Sequence, residues 1–330
     1  MDLSVIIVSY NSRFFLELCL SSLKEATKNI KSEIIVVDNN SNDDSINMIK
    51  SLFPEVLLIE NNINLGFSSA NNLGVKKAKG KFLPESKRNL PTLSMVLNKF
   101  LGLKNNYHLN ILNEDEIGQA DVLCGAIMLM NKKEFEDVGG FDEKYFMFGE
   151  DIDLSYKMKK KGLSNYYLGN LSIIHYKGES TIKNMKYYRD FYGAMGIYYR
   201  KFIANNIISK FFSYFLIELI VFAHLFKFKS KSNFIDNTKD SYIVSNKDYF
   251  SLKSRGTKRI QSIESISNKI ENCEIIFDSN YITFNDIISS IQTLSNNKNL
   301  IFKILSKGSN FIIGSNNSNE QGEVILFDSN

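Results

Sequence analysis

A chain of 330 residues with 44% hydrophobic and 23% charged residues has the make-up of an ordinary globular protein and enough length for two domains. Its net charge of +4 is too small to imply a nucleic-acid partner, and suits an anionic substrate or an anionic membrane surface. Cys19, Cys124 and Cys273 are scattered and lack C-x-x-C spacing, which argues against a disulfide framework or a cysteine zinc site and for a reducing, cytoplasmic compartment.

The N-terminal "LSVIIVSY" (Leu3 to Tyr10) reads as a buried first strand rather than as a signal peptide, because the apolar run is short and an acid stands at position two. Leu16, Cys19, Leu20 and Leu23 follow at helical spacing, with Ser12 placed to cap that helix. "EIIVVD" (Glu33 to Asp38) is a second strand, "SINMIKSLF" a short helix and "EVLLIE" (Glu55 to Glu60) a third strand. "NNINLGFSSANNLGVKKAKG" opens with a glycine-bearing loop and continues as a helix expected to end near Gly80. This alternation predicts a parallel α/β sheet with right-handed crossovers, whose ligands bind beyond the carboxyl ends of the strands.

The rhythm then calls for another buried strand, but the chain offers "FLPESKR". Pro84 cannot donate to a ladder and "PESKR" is charged and turn-like, so the expected strand is missing here. Leu93 to Leu103 reads as helical or irregular. Ala120 to Asn131 is a strand, and a short helix, a glycine turn, an aromatic loop and a second helix follow it. "LSIIHYKGEST" reads as a strand that ends at His175. Residues Ile207 to Phe226 are strongly apolar but interrupted by Lys210, Glu218 and His224, with "YYRKF" before them and "KFKSKS" after. A helix in the membrane interface and a core helix packed on the sheet are both open readings; a full membrane span is the least favoured. From about Asn233 the composition shifts towards Ser, Asn, Lys and Ile, and "DSYIV", "CEIIFD", "NLIFKIL" and "EVILFD" predict a small α/β module. Thr283 and Asp286 would cap its helix. The expected division is 1–204, an apolar and basic helical segment at 205–232, and the small module at 233–330.

Several residues stand where chemistry could occur. Asp38 ends a hydrophobic strand at a ligand-binding position, although its "DNNSNDD" context also suits a turn. Asn64, Gly66 and Asn71 could line a nucleotide or simply shape a loop and a helix start. Glu150, Asp151 and Asp153 crowd the first turn of a helix after Gly149, where the macrodipole alone favours acids. Adjacent carboxylates beside aromatic residues could equally supply a general base. His175 is a ligand candidate or a structural histidine.

Taken together, "SVIIVSYNS", "EIIVVDNNSNDDS", "ENNINLGFSSANNLGVKKAKG", "LCGAIMLMNKKEFEDVGGFDEKYFMFGEDIDLSYKMKKKG" and "IIHYKGEST" resemble the family 2 glycosyltransferases, in particular the bacterial rhamnosyltransferase-like enzymes of surface polysaccharide synthesis. The resemblance covers about Asp2 to Lys201. It implies a GT-A fold, a nucleotide-sugar donor, a divalent cation (magnesium or manganese) and inverting transfer to a glycan or lipid-linked acceptor at the cytoplasmic face of the inner membrane. By the same resemblance Tyr10, Asn11, Asp38, Asn40, Asn64, Gly66 and Asn71 contact the nucleotide. Asp151 deprotonates the acceptor with Glu150 beside it, Gly125 and Asp153 lie on the acceptor side, and His175 sits near the diphosphate or its metal. The tail resembles a shortened nucleotide-binding-like module of bacterial sugar transferases. Such enzymes carry a strand and an acidic, metal-holding turn between "AKGK" and the counterpart of "FLPESKR"; that piece is expected to be deleted here, after Lys81. Glu85 is the sole acid between Lys81 and Asn113. A degenerate nucleotide-sugar-binding protein is therefore the alternative reading. A nucleotidyltransferase would need an acidic metal centre that the sequence does not offer.

Overall fold

The computed structural model describes residues 1–88, 116–176, 185–204, 206–227, 240–265, 271–295, 297, 299–315 and 322–327. The segment Leu93 to Leu103 and His108 lie outside the described residues. The first half alternates strand and helix: β1 (Leu3–Ser9), α1 (Arg13–Thr27), β2 (Ser32–Asp38), α2 (Ser45–Leu52), β3 (Leu57–Glu60) and α3 (Gly66–Lys77). β1 and β2 pair in parallel from Leu3↔Ser32 to Ser9↔Asp38, and β3 joins the far side of β2. Alternate β2 residues serve opposite faces, as a strand covered on both sides requires. Val36 packs with Leu16, Leu20, Met48 and Ile49 of α1 and α2, whereas Ile35 and Val37 pack with Ala70 on α3. This is the expected α/β class with a mainly parallel, helix-flanked sheet.

Two local expectations are corrected. α3 ends at Lys77, three residues before Gly80. Gly80 instead lies against β1, where a Cβ would come within 2.5 Å of the Leu3 carbonyl carbon and the Ser4 nitrogen. Its N–H donates to Ser4 Oγ at 2.8 Å. Ser12 does occupy the N-cap position of α1, but makes no capping bond. Asp43, from the loop after β2, caps the helix across the sheet by accepting the Arg13 N–H at 2.7 Å.

"FLPESKR", expected to be a turn, forms β4 (Phe82–Arg88). It enters the sheet in the order β3-β2-β1-β4-β6, with β6 spanning Val122–Asn131. Its pairing is lopsided. A single parallel pair, Leu3↔Phe82, joins it to β1, whereas the whole strand runs antiparallel to β6 with an irregularity between Glu85 and Ser86. Beyond Phe82 the side of β4 turned to β1 carries no described ladder. Pro84 thus sits on a locally unpaired edge, where its missing N–H is tolerated.

β5 (Ile117–Gln119) pairs with β7 (Tyr166–Leu168) as a separate ribbon. Between them stand β6, α4 (Lys132–Asp137) and α5 (Glu150–Lys160). Residues 171–176 have no regular structure, so the strand expected to end at His175 does not form; Leu171 and Ile173 lie largely exposed there, without the burial that a strand of this sheet would give them. α6 (Met185–Phe202) and α7 (Ile207–Lys227) pack against each other, with Tyr192 of α6 meeting Ile220 and Val221 of α7.

The C-terminal module contains β8 (Asp240–Val244), α8 (Phe250–Lys253), β9 (Lys258–Ile260), β10 (Cys273–Asp278), α9 (Phe284–Leu294), β11 (Leu300–Leu305), β12 (Phe311–Gly314) and β13 (Glu323–Leu326). Its sheet runs β13-β12-β11-β10-β8-β9, parallel through β9, β8, β10 and β11 and antiparallel beyond. Thr283 caps α9 as expected: its hydroxyl accepts the Asp286 N–H and donates to the Asp286 carboxylate. The module does not stand apart from the first half. Leu18 of α1 is part of its core, and the Phe14 ring meets Phe311 edge to face at 4.9 Å.

Candidate active site

The site is assembled at the carboxyl ends of β1 and β2. Asp38 is fully buried at the last position of β2. One carboxylate oxygen accepts the Ser41 N–H at 2.8 Å, and the other is buried without a hydrogen-bond partner among the described residues. An unmatched buried carboxylate oxygen is costly unless a ligand donor meets it. Next to it the two loops lock together: Asn11 N–H donates to Ser41 Oγ, and the Asn11 side chain accepts the Asn42 N–H. Asn11 and Asn40 both take left-handed backbone angles, which asparagine tolerates better than most residues. Tyr10 is half-buried beside them.

A chain of contacts leads from Asp38 to the acidic helix. The side-chain amide of Asn39 donates to the Gly66 carbonyl at 3.1 Å, and Asn64 accepts the Gly66 N–H at 2.9 Å. Gly66 has φ +78°, and a Cβ there would overlap the Phe146 carbonyl oxygen. The Phe67 N–H donates to that same oxygen at 2.7 Å. Four residues later α5 begins, with Gly149 at its N-cap and Glu150 and Asp151 in its first turn. Tight packing at Gly66 therefore clamps the loop after β3 to the loop that presents the two carboxylates. Asn71 serves its own helix, donating to the Phe67 carbonyl.

Asp151 is held by backbone donors. One oxygen accepts the Gly125 N–H of β6 at 2.9 Å and the other accepts the Ile152 N–H at 2.8 Å. Gly125 keeps the space in front of the carboxylates open: a Cβ there would stand 3.7 Å from Asp151 Oδ2 and 3.8 Å from Glu150 Oε1. Asp153, expected on the acceptor side, is fully buried. It receives Lys201 Nζ at 2.6 Å, lies 3.3 Å from Lys157 Nζ and accepts the Tyr145 hydroxyl at 3.4 Å. Burial and then the Asp153 charge push the Tyr145 phenol far above its ordinary range. His175 lies exposed in the irregular stretch whose neighbours Ile174 and Tyr176 pack on the C-terminal module.

Sequence reasoning missed three contributors. Asn72 bridges α3 to the aromatic loop, exchanging hydrogen bonds with both backbone groups of Phe141. Ser68, in the first turn of α3, has a buried hydroxyl without a partner among the described residues. Lys201 ties Asp142 to Asp153 from α6. The only signal for Ser68 was its place one turn into a helix that follows a glycine loop; Asn72 and Lys201 act over long sequence separations and left no local signature.

Among the described residues no group of three His, Cys, Asp or Glu side chains could hold a metal ion. His175 is exposed on the irregular strap of residues 171–176, and Glu150 and Asp151 supply only two carboxylates. The described residues do not fit the metal site that the resemblance implies.

Residues 4–83 match the family model described as glycosyl transferase family 2, and residues 112–187 match one described as the N-terminal domain of galactosyltransferase. A curated relative, the N-acetylglucosaminyl-diphospho-decaprenol L-rhamnosyltransferase of Mycobacterium tuberculosis, is 41% identical over 59 residues, 18% of this chain and 19% of its own length. The rhamnosyltransferase WbbL of Escherichia coli is 33% identical over 93 residues, 28% of this chain and 34% of its own length. The chain thus spans from about a fifth to a third of these relatives. A solved mannosyltransferase from Pyrobaculum calidifontis covers 68% of this chain at 14% identity, with 74% of its own length matched and a TM-score of 0.43. The family-model matches make two stretches of the N-terminal half similar to glycosyltransferases. Residues 4–83 are thus similar to family 2, and bacterial rhamnosyltransferases are among the relatives that the chain matches over part of its length.

Proposed function

We propose that the protein transfers a sugar, with inversion, from a nucleotide-sugar donor to a lipid-linked or polysaccharide acceptor at the cytoplasmic face of a membrane. The carrying observation is the clamp between Gly66 and Phe146, which joins the loops around the buried Asp38 to the backbone-pinned Asp151. The orphaned Asp38 oxygen accepts an N–H of the base, and the loops holding Tyr10, Asn11, Asn40 and Asn64 close around the nucleoside. The Asp151 carboxylate takes the proton of the acceptor hydroxyl. The acceptor oxygen attacks the anomeric carbon from the face opposite the diphosphate, and the nucleoside diphosphate leaves with the bonding electron pair. Glu150 and Gly125 shape the acceptor side.

A second reading is favoured by the donor set: a nucleotide-sugar-binding protein with slow or no turnover, because the described residues lack the acidic cluster that would steady the leaving diphosphate. Calorimetric titration with uridine and thymidine diphosphates, followed by transfer assays with the matching sugars, separates the two. Binding with turnover supports the transferase, binding alone supports the second reading, and no nucleotide binding would overturn both.

A further inference from the structure

The outer face of α7 is apolar for about four turns, from Ile208 to Phe222. Its inner face is occupied: Ser213, Ile220 and Val221 are buried, and Leu216 and Ile217 pack on α6. The opposite stripe, at i, i+3, i+4, i+7 spacing, is Ile208, Phe211, Phe212, Phe215, Leu219 and Phe222. These side chains are 53–77% exposed, and Phe211 alone is 76% exposed. Six large apolar side chains in one unbroken stripe exceed what soluble monomers ordinarily expose. None of the described helices is long and apolar enough to cross a membrane.

The charges around the stripe indicate what covers it. Lys210 stands near the helix start, and the sequence from the last helical residue runs Lys-Phe-Lys-Ser-Lys, residues 227–231. Glu218 is the one acid in α7. In the sequence, the lysine-rich run after α7 gives the stripe a basic flank, which an anionic plane complements. α7 is also fixed relative to the proposed base. Gly196 of α6 lets the helices touch, since a Cβ there would overlap Ile217, and the Arg200 guanidinium lies 3.8 Å from the Tyr214 ring centre. α6 in turn packs through Met195 and Tyr198 on Val122 of β6 and Ile152 of α5.

We propose that the outer stripe of α7 docks on an anionic lipid surface, lying in its interface and holding the carboxylate site beside lipid-borne acceptors. The second half of this statement rests on the transferase reading; the docking itself does not. The test uses the full chain and sedimentation with vesicles of phosphatidylcholine, alone or mixed with phosphatidylglycerol. The expected result is pelleting with the mixed vesicles, release by high salt, and at least about tenfold weaker partition for the Phe211→Asp, Phe215→Asp double variant. Both positions point outward, so an unchanged thermal transition and unchanged nucleotide titration should accompany that loss. Failure of the monomeric wild-type chain to pellet with mixed vesicles would overturn the proposal. So would a concentration-dependent dimer that the double variant abolishes, which would assign the stripe to a second copy. Because docking is read without donor or turnover, an inactive protein that pellets leaves it standing.

Discussion

At the scale of single residues, Asp38, Gly66 and Asp151 carry different burdens and should fail in different ways. Asp38→Ala removes a buried acceptor whose free oxygen faces no protein donor among the described residues, so the fold should survive while nucleotide affinity falls. Titration that finds the same affinity for both nucleoside diphosphates would return Asp38 to a turn-forming role. Asp151→Asn keeps the shape and removes the basic oxygen; turnover should drop by about 10²–10⁴-fold with donor affinity intact. Equal losses of rate and donor affinity would make Asp151 a donor-site or structural residue. Gly66→Ala adds a methyl in a left-handed backbone and against a carbonyl oxygen, so it should cost at least about 2 kcal/mol in urea melts. It should also weaken nucleotide binding, because Asn39 is anchored on the Gly66 carbonyl.

At the scale of elements, the acidic helix α5 and α6 are joined by one ion network, and its pH dependence has a definite sign. Burial raises the Asp142 pKa, but the Lys201 hydrogen bond, the Lys144 N–H and their charges outweigh it, so Asp142 titrates below its ordinary value. Burial lowers the Lys201 pKa, and its bonds to Asp142 and Asp153 outweigh that, so Lys201 titrates above its ordinary value. A depressed acid stabilises above its unfolded pKa and loses that contribution as pH falls through the folded one; a raised amine stabilises below its unfolded pKa and loses it as pH rises through the folded one. Stability should therefore decline on acidification below about pH 4. Lys201→Met should flatten that decline and lower stability at neutral pH, as urea melts across pH would read. The strand β4 poses a different element-scale test. If the metal-bearing strand and turn are missing after Lys81, inserting a relative's segment between Lys81 and Phe82 should bring manganese-dependent transfer. Strong manganese-dependent turnover by the unmodified chain would show that no such segment is needed.

At the scale of the whole molecule, α1 serves two cores at once. Leu16 and Leu20 face the first sheet, and Phe14 and Leu18 face the C-terminal module. Phe15 meets Tyr176 at 5.0 Å, and Gln292 of α9 donates to Ser172 of the same strap. The two halves should consequently unfold in a single calorimetric transition. Leu18→Ala with Phe14→Ala should lower stability by about 3–5 kcal/mol and split the transition in two. A single unsplit transition at the lower temperature would mean that other contacts couple the halves.

The sequence by itself determined what is local. Period-two and period-3.6 patterns set β1, β2, α1, α2, α3, α9 and the C-terminal strands β8, β10, β11 and β13, because side-chain spacing decides which face can be buried. Thr283 and Asp286 declared their cap, and Asp38, Asn64 and Gly66 were marked by standing at strand and helix ends. Only the tertiary structure decided what depends on partners far apart in the chain. "FLPESKR" is a strand because β6 supplies its ladder, and Pro84 is tolerated because β1 parts from it after Phe82. Asp153 is a buried ionic hub because Lys201, 48 residues away, reaches it. α7 is neither a core helix nor a spanning one, since α6 covers one side and leaves the phenylalanine stripe bare. A hydrophobic pattern records that a surface must be covered; which element covers it is set by how the whole chain packs.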